Sequence, residues 1–534
     1  MMMLERVISK GNLLLMSAGS MVGASWLFSP YISVKMAGTY AMLAWFIAAV
    51  FMFIIALPLC ELGSLFPVAG GMVNYPNMTH GRGFGFLFSW VSWLAYVVCG
   101  PIEVQAVMQY ASHFFPRLVD KSLPGFHLSD FGIYCAIATL LIVTIINSFG
   151  LRLFIHCNRF ISIFKFIVPT CAIIGFFVVA PSLTHHMEWR LPNQQDFYGI
   201  CSALSLGGIA FAFTGFQNGL MMAGEVKNPA KALPLSLLGA VVIGFFLYSS
   251  LQWSFIIAVP DTALSQGWQN LSFSGDSGPL VGLALVLGLG GIATLLMIDA
   301  SVSPLGTALV YSAATARILY AMGINKDLPK KVSKLNRYKV PAFALIINFL
   351  VGSLSFLPFS GWQNMVAFLS SCSILSYLIG PICLLSFRYH RPHVEGGFRL
   401  KGAKLFCFLG FYAALLMLIW CGFDIVWKLA VAIGIGVFFH IVADQKSLKE
   451  EKWLLWFVMF FTLMIPISYL SHFGGIAKIS LLETFMILLP VSYILLSFAV
   501  KFAIPDAIQM LSIYTQNASN DSEGLIAAQI KYDS

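Results

Sequence analysis

Ser17-Ala18-Gly19-Ser20-Met21-Val22-Gly23-Ala24-Ser25-Trp26-Leu27-Phe28 occupies the middle of an apolar run over 13–34 and puts small residues where a membrane helix is usually bulky. A second run, 198–222, repeats the feature with Gly207-Gly208-Ile209-Ala210-Phe211-Ala212-Phe213-Thr214-Gly215-Phe216-Gln217-Asn218-Gly219. Either stretch alone is explained by close helix packing, because small residues let backbones approach. Together they say more. They lie five spans apart and so begin two five-helix halves of opposite orientation. Interrupted helices at matching places in inverted halves point to a solute site at mid-membrane. Unwinding frees N–H groups at a half-helix N-terminus, which suit a carboxylate. It also frees carbonyls at the facing end, which suit an ammonium, so the pair is complementary to an α-amino acid zwitterion.

The rest of the chain supplies the membrane. Of 534 residues, 59% are hydrophobic and 14% aromatic, while 10% are charged, against about 25% in soluble domains. That composition excludes disorder, a coiled coil and most soluble enzymes. A helix needs about 20 apolar residues to cross the hydrocarbon, because each backbone N–H and C=O must be satisfied within the segment. Fourteen runs qualify: 13–34, 38–60, 84–113, 130–149, 158–180, 198–222, 233–258, 280–311, 341–359, 364–387, 404–422, 425–443, 453–471 and 480–500. With the N-terminus inside, 24 of the 31 Lys and Arg residues fall on inner segments and 6 on outer ones, and Lys165 lies within a span. Basic residues resist translocation, so both termini are predicted to be cytoplasmic. The net charge of +9 is then a topology signal and gives no reason to propose a nucleic-acid partner.

The expected organisation is a cytoplasmic N-terminus (1–12), a first repeat (13–180), a second repeat (198–387), four additional C-terminal spans (404–500) and a polar cytoplasmic tail (505–534). The first run is too long for a signal-peptide core and is followed by more membrane, so it reads as a span. Ten cysteines form no CxxC pair and sit mostly within spans, which implies neither a disulfide framework nor a metal site. His185-His186, in a polar outer loop, reads as a solvated pair. No Walker A sequence, HExxH or Ser/His/Asp grouping appears, so no enzyme, cofactor or ATP drive is expected.

Four ordered motifs carry a resemblance. They are Gly19-Ser20-Met21-Val22-Gly23-Ala24, Glu61-Leu62-Gly63-Ser64-Leu65-Phe66-Pro67-Val68-Ala69-Gly70-Gly71, Glu225-Val226-Lys227-Asn228-Pro229, and Ala316-Arg317-Ile318-Leu319-Tyr320-Ala321-Met322 running on to Leu328-Pro329. In type, order and spacing the chain resembles the amino acid–polyamine–organocation (APC) superfamily of permeases. Asp299-Ala300-Ser301-Val302-Ser303-Pro304 most resembles the aspartate–proton symporter-like branch. The resemblance implies an all-α integral membrane protein with the five-plus-five inverted repeat of the LeuT type, here with extra C-terminal helices. It also implies a multi-pass protein of the plasma (inner) membrane, if the source is bacterial, that carries amino acids. The substrate-binding candidates are Ser20, Met21, Gly23, Ala24, Ser25, Phe211, Ala212, Phe213, Gly215 and Phe216, of which Phe213 and Phe216 are chosen on position alone, flanking the second break as gates or as rings over the substrate side chain. Two positions depart from the family pattern: Ser25 replaces the usual second glycine, and Gln217 stands where many members carry an acidic residue.

A charge at membrane depth costs at least about 2.5–3.5 kcal/mol, so each one demands an explanation. Lys165 lies about seven residues into its span, in Ile163-Phe164-Lys165-Phe166-Ile167. The plain alternative is a lysine reaching the inner headgroups. In the resembling family a lysine at this place takes the position of a sodium ion and bridges the first and eighth spans, as a proton carrier or as a fixed cation. Asp299 and Ser303, four residues apart, project from one helix face, and Pro304 frees the Ala300 carbonyl nearby. Asp299 is a coupling or site-lining candidate, or one half of a structural ion pair. Glu103, between Pro101 and Gln105, is a site-lining residue or a second protonatable group.

The resulting expectation is a secondary transporter of amino acids, proton-coupled and working by alternating access. An amino acid/product exchanger of the same fold and a non-transporting amino-acid sensor are the alternatives. The substrate side chain is left open, since Asp299 favours a cationic one, Lys165 an anionic one, and the branch resemblance acidic amino acids.

Overall fold

The computed structural model describes residues 6, 8–68, 70–120, 127–149, 151–187, 190–273, 278–338, 340–356, 362–390, 397–443 and 451–504. The tail expected over 505–534 lies outside them, as do Ala69 of the second motif and most of 1–12 before Ile8.

Helices α1 (Lys10–Met21) and α2 (Ser25–Ala37) are two pieces of one rod, followed by α3 (Ala41–Leu65), α4 (Asn74–His80), α5 (Arg82–Ala111), α6 (Asp130–Ser148) and α7 (Leu151–Val179). A second interrupted rod, α8 (Gln194–Ser205), α9 (Ile209–Phe213) and α10 (Asn218–Met221), leads into α11 (Pro229–Ala258). Then come α12 (Pro279–Val286), α13 (Gly290–Ile324), α14 (Ala342–Leu354), α15 (Trp362–Tyr377) and α16 (Ile379–His390). Helices α17 (Ala403–Trp420), α18 (Phe423–Ala443), α19 (Glu451–Leu470) and α20 (Leu481–Lys501) are the last among the described residues. One small hairpin, β1 (Val119–Asp120) against β2 (His127–Leu128), sits between α5 and α6.

Side-chain caps set several helix starts. Ser9 accepts from the Asn12 N–H at α1, and Ser129 from the Gly132 N–H at α6. Reciprocal capping boxes, Asn193 with Asp196 and Ser480 with Glu483, open α8 and α20. Each satisfies donors that the first helical turn leaves without partners.

Ten helical stretches among the described residues are long and apolar enough to cross a membrane. The fourteen runs read from sequence exceed that number for physical reasons. The first and sixth runs are each broken at mid-length, α14 has only 13 residues, and α7 shows only a short apolar stretch, Phe164–Val179. The run 280–311, expected as one span, is corrected to two helices. Leu287–Leu289 separates α12 from α13, with Gly288 in a left-handed turn (φ +73°).

Burial ranks the helices. The apolar window of α5 is 94% buried and that of α15–α16 also 94%, whereas α6 is 28% buried and shows Phe131, Tyr134 and Ile142 to the outside. One of the two most buried spans is thus the one that carries Glu103. Exposed apolar side chains on the outer helices are what lipid contact requires. The C-terminal helices attach through α17, which packs on α3 and α16. Arg388 at the end of α16 clamps Glu61 of α3 with two bonds of 2.8 and 2.6 Å, and Glu61 also accepts from the Leu400 N–H at 2.7 Å. This fork-to-fork pairing is the strong form of an Arg–carboxylate contact.

Candidate functional site

The two interruptions meet. Val22, Gly23 and Ala24 separate α1 from α2, and Thr214–Gln217 separate α9 from α10. Gly215 has φ +117°, a conformation that only glycine adopts without strain, and a Cβ there would press on the Ser20 backbone at 2.8 Å. The glycine read from sequence as a break is therefore also where the two broken helices touch.

The exposed end of α2 is not empty. Glu103, fully buried on α5, accepts a hydrogen bond from the Ala24 N–H at 2.8 Å. Its carboxylate lies flat on Gly23, where any Cβ would collide with it. The partial positive charge of a helix N-terminus, expected to hold the carboxylate of a solute, here holds a side-chain carboxylate of the protein itself.

On the other side of the break two carbonyls of α1, those of Gly19 and Met21, accept from side chains. Lys165 donates to the Gly19 carbonyl at 3.0 Å and to Thr307 Oγ1 at 2.5 Å, which ties α7, α1 and α13 together. Thr307 also donates to the Ser303 carbonyl. Tyr248 of α11 donates to the Met21 carbonyl at 2.9 Å. Asp299 is fully buried. Its Oδ1 accepts from Ser303 at 2.6 Å, and its Oδ2 has no hydrogen-bond partner among the described residues. An unsatisfied buried acceptor is costly, and a proton or a cationic group would relieve it.

The second interruption is held by neutral groups. Gln217 Oε1 accepts from the Gly215 N–H at 2.9 Å and from the Tyr377 hydroxyl at 3.3 Å. Thr214 turns its hydroxyl back to the Phe211 carbonyl, and Tyr96 of α5 donates to Asn218 at 2.6 Å. Gln217 is thus a clasp on the break.

The aromatic candidates divide. Phe213 packs between Trp45 of α3 and Tyr248 of α11, and Phe216 packs on Tyr377. Phe211 meets Trp362, which also contacts Phe28, and Phe28 leans on Tyr110, whose hydroxyl donates to the Leu27 carbonyl. These four rings close one side of the two breaks. On the other side a groove bounded by Met16, Asn218, Met222 and Arg317 reaches Gly19 and Ser20. Ser20 spends its hydroxyl on the Met16 carbonyl at 2.6 Å. Met21, Ser25 and Ala212 are buried beside the breaks.

Sequence reasoning missed several residues. Thr307 continues the Asp299, Ser303 stripe by one more turn, a signal present at i+8. Tyr248, Tyr377, Phe28, Tyr110 and Trp362 give no such signal, because an aromatic residue in an apolar run usually faces core or lipid.

The His185-His186 pair is corrected. It is only partly solvated: the side chains are 21% and 14% exposed, and both face Asp261. His186 takes a left-handed backbone (φ +62°) that turns its ring inward, with Nε2 2.9 Å from the Val259 carbonyl oxygen. Burial pushes its imidazole below the usual histidine range, and the Val259 carbonyl opposes that shift.

Comparison with known proteins places the chain in a family. The chain is 33% identical over 484 residues to the glutamate/serine transporter AimA of Bacillus subtilis (strain 168), covering 89% of each chain. It is 31% identical over 489 residues to the aspartate-proton symporter of the same organism, covering 89% of this chain and 92% of the relative. The branched-chain amino acid permease BcaP of Lactococcus lactis subsp. cremoris (strain MG1363) is 23% identical over 467 residues, covering 82% and 94%. All three are permeases or transporters of amino acids, and none is an enzyme. Residues 11–462 match the amino acid permease family, and the chain is an integral, multi-pass membrane member of that family.

Proposed function

We propose that this protein is a proton-coupled amino-acid symporter that works by alternating access. Its substrate site lies between the break of α1–α2 and the break of α8–α10, within two inverted five-helix halves that span 13–180 and 198–387. The observation that carries the reading is the Glu103 carboxylate on the Ala24 N–H, opposite Lys165 on the Gly19 carbonyl.

The chemistry follows from competition for one helix end. A substrate α-carboxylate needs the N-terminus of α2, and an ionised Glu103 already occupies it. Two carboxylates at one low-dielectric site repel strongly. Protonation removes the charge of Glu103 and frees the Ala24 N–H, so a proton and an amino-acid carboxylate enter together. The substrate ammonium then meets the carbonyl ends of α1 and α9. Lys165, held by two acceptors, acts as the fixed cation that joins α1 to α13, in the place of a coupling ion. The Asp299 Oδ2, which lacks a partner among the described residues, is a second place for a proton.

The substrate class we propose is an acidic or small polar amino acid. Its support is the transported solutes in the names of the two relatives above 30% identity, glutamate, serine and aspartate.

The test is uptake of labelled glutamate, aspartate and serine into proteoliposomes with an inward proton gradient. Accumulation that collapses with a protonophore supports symport. Counterflow that needs only internal substrate and ignores the gradient would make the protein an exchanger, and tight binding without uptake would make it a sensor.

A further inference from the structure

Away from the helix breaks, three potential metal ligands from two distant loops converge. His185 and His186 follow α7, and Asp261 follows α11, about seventy-five residues later in sequence. His185 Nε2 lies 3.5 Å and His186 Nε2 3.6 Å from the same oxygen, Asp261 Oδ1. The three ligand atoms all fall within 4.8 Å of one another. In a tetrahedral zinc site with bonds of about 2.0–2.1 Å, neighbouring ligand atoms stand about 3.3–3.4 Å apart. The two His–Asp separations are within a few tenths of an ångström of that edge.

Two further features distinguish this group from a casual surface ion pair. The histidines are mostly buried while Asp261 is 81% exposed, so the cluster has a closed floor and one open side. The His186 backbone is in the left-handed region, a strained conformation for a non-glycine residue, and brings two adjacent imidazoles, 3.7 Å between ring centres, onto one carboxylate.

We propose that His185, His186 and Asp261 bind one zinc ion, with water in the fourth position, and that the bound ion restrains the outer end of α2. Two imidazoles and a carboxylate suit zinc and serve magnesium or calcium poorly, since those ions require oxygen ligands. His186 gives up its contact with the Val259 carbonyl to ligate the metal. The link to α2 is Trp268, whose indole stands 5.8 Å from the His186 ring and lies against Gly38, the residue that ends α2. The other end of α2 is the Ala24 N-terminus at the break, so a metal that fastens the two loops holds one end of the helix that has to move. The charge asymmetry of the sequence assigns this face to the outside, where a free metal ion has access.

The binding part of the test needs no transport and so stands apart from the proposed symport. Calorimetric titration of the full chain, purified without a polyhistidine tag, with zinc chloride is expected to show one ion per chain. Binding is expected to weaken at least tenfold in Asp261→Asn, His186→Ala and His185→Gln, with thermal midpoints unchanged in the absence of zinc. His185→Gln leaves the left-handed residue in place, so it reports on the site even if His186→Ala disturbs the loop. Absent saturable binding, binding undiminished in all three variants, or equal binding of magnesium would overturn the site. Uptake of glutamate is expected to fall severalfold in zinc, to recover with chelator and to be zinc-insensitive in Asp261→Asn. Zinc that binds while uptake is unchanged would overturn the restraint.

Discussion

The two broken helices look alike in sequence and differ in what holds them. At the break of α1–α2 the freed backbone groups are met by ionisable side chains, Glu103 on the Ala24 N–H and Lys165 on the Gly19 carbonyl. At the break of α9–α10 the partners are neutral, Gln217 on the Gly215 N–H and Thr214 on the Phe211 carbonyl. A neutral clasp holds one geometry at every pH, whereas an ionisable one changes with its proton. Under the proposed symport, coupling belongs to the first break and the second is a fixed wall.

The largest effect that sharpens this contrast is expected at Lys165. Removing one partner of a buried charged group costs about 3–5 kcal/mol, so Lys165→Ala should cut uptake by about a hundredfold or more. Lys165→Arg separates the roles of this residue. A fixed cation predicts residual uptake with the pH dependence of the parent, and a flattened profile would show Lys165 to be the proton carrier. Next in size is Glu103→Gln, which keeps an acceptor for the Ala24 N–H and removes the titration. Downhill equilibration should persist while gradient-driven accumulation falls about tenfold.

Gln217→Ala addresses the other break. It strands the Gly215 N–H and the Tyr377 hydroxyl, at about 1–3 kcal/mol. Lower thermal stability and weaker substrate affinity are expected, with the shape of the pH profile unchanged. A shifted profile would break the assignment of titration to the first break alone.

How far these distinctions could be read in advance depends on the residue. The positions of both breaks were legible, because Gly23 and Gly215 stand out in runs that otherwise favour bulky side chains. Lys165, Asp299 and Glu103 were legible by rarity, since ionisable residues at membrane depth are few. The partner of Glu103 was not, because contact with a residue 79 positions away is set by packing and leaves no periodicity. Phe213 was placed beside the substrate on position alone. The short α9 turns its ring toward Trp45 and Tyr248, an orientation that a five-residue helix next to a glycine does not reveal. The division of 280–311 into α12 and α13 had a signal in Gly288, Gly290 and Gly291, which the equally apolar flanks on both sides outweighed in the sequence reading.

The smallest expected effect lies at the outer start of α8, where the second broken rod does carry an ionisable group, outside the membrane-spanning helices. Arg190 holds the Asp196 carboxyl below the usual range, and the Asn193 backbone adds to this. A lowered pKa contributes stability that is present above the unfolded value, about 3.9, and is lost as pH falls through the folded one. Asn193→Ala should remove the cap at about 1 kcal/mol, read as a small fall in thermal midpoint with uptake and its pH profile intact.

The most direct measurement is accumulation of labelled glutamate, aspartate or serine in proteoliposomes under an imposed inward proton gradient, parent against Glu103→Gln. The account predicts accumulation above equilibrium in the parent that a protonophore abolishes, and simple equilibration in Glu103→Gln. Undiminished, protonophore-sensitive accumulation in Glu103→Gln would contradict it.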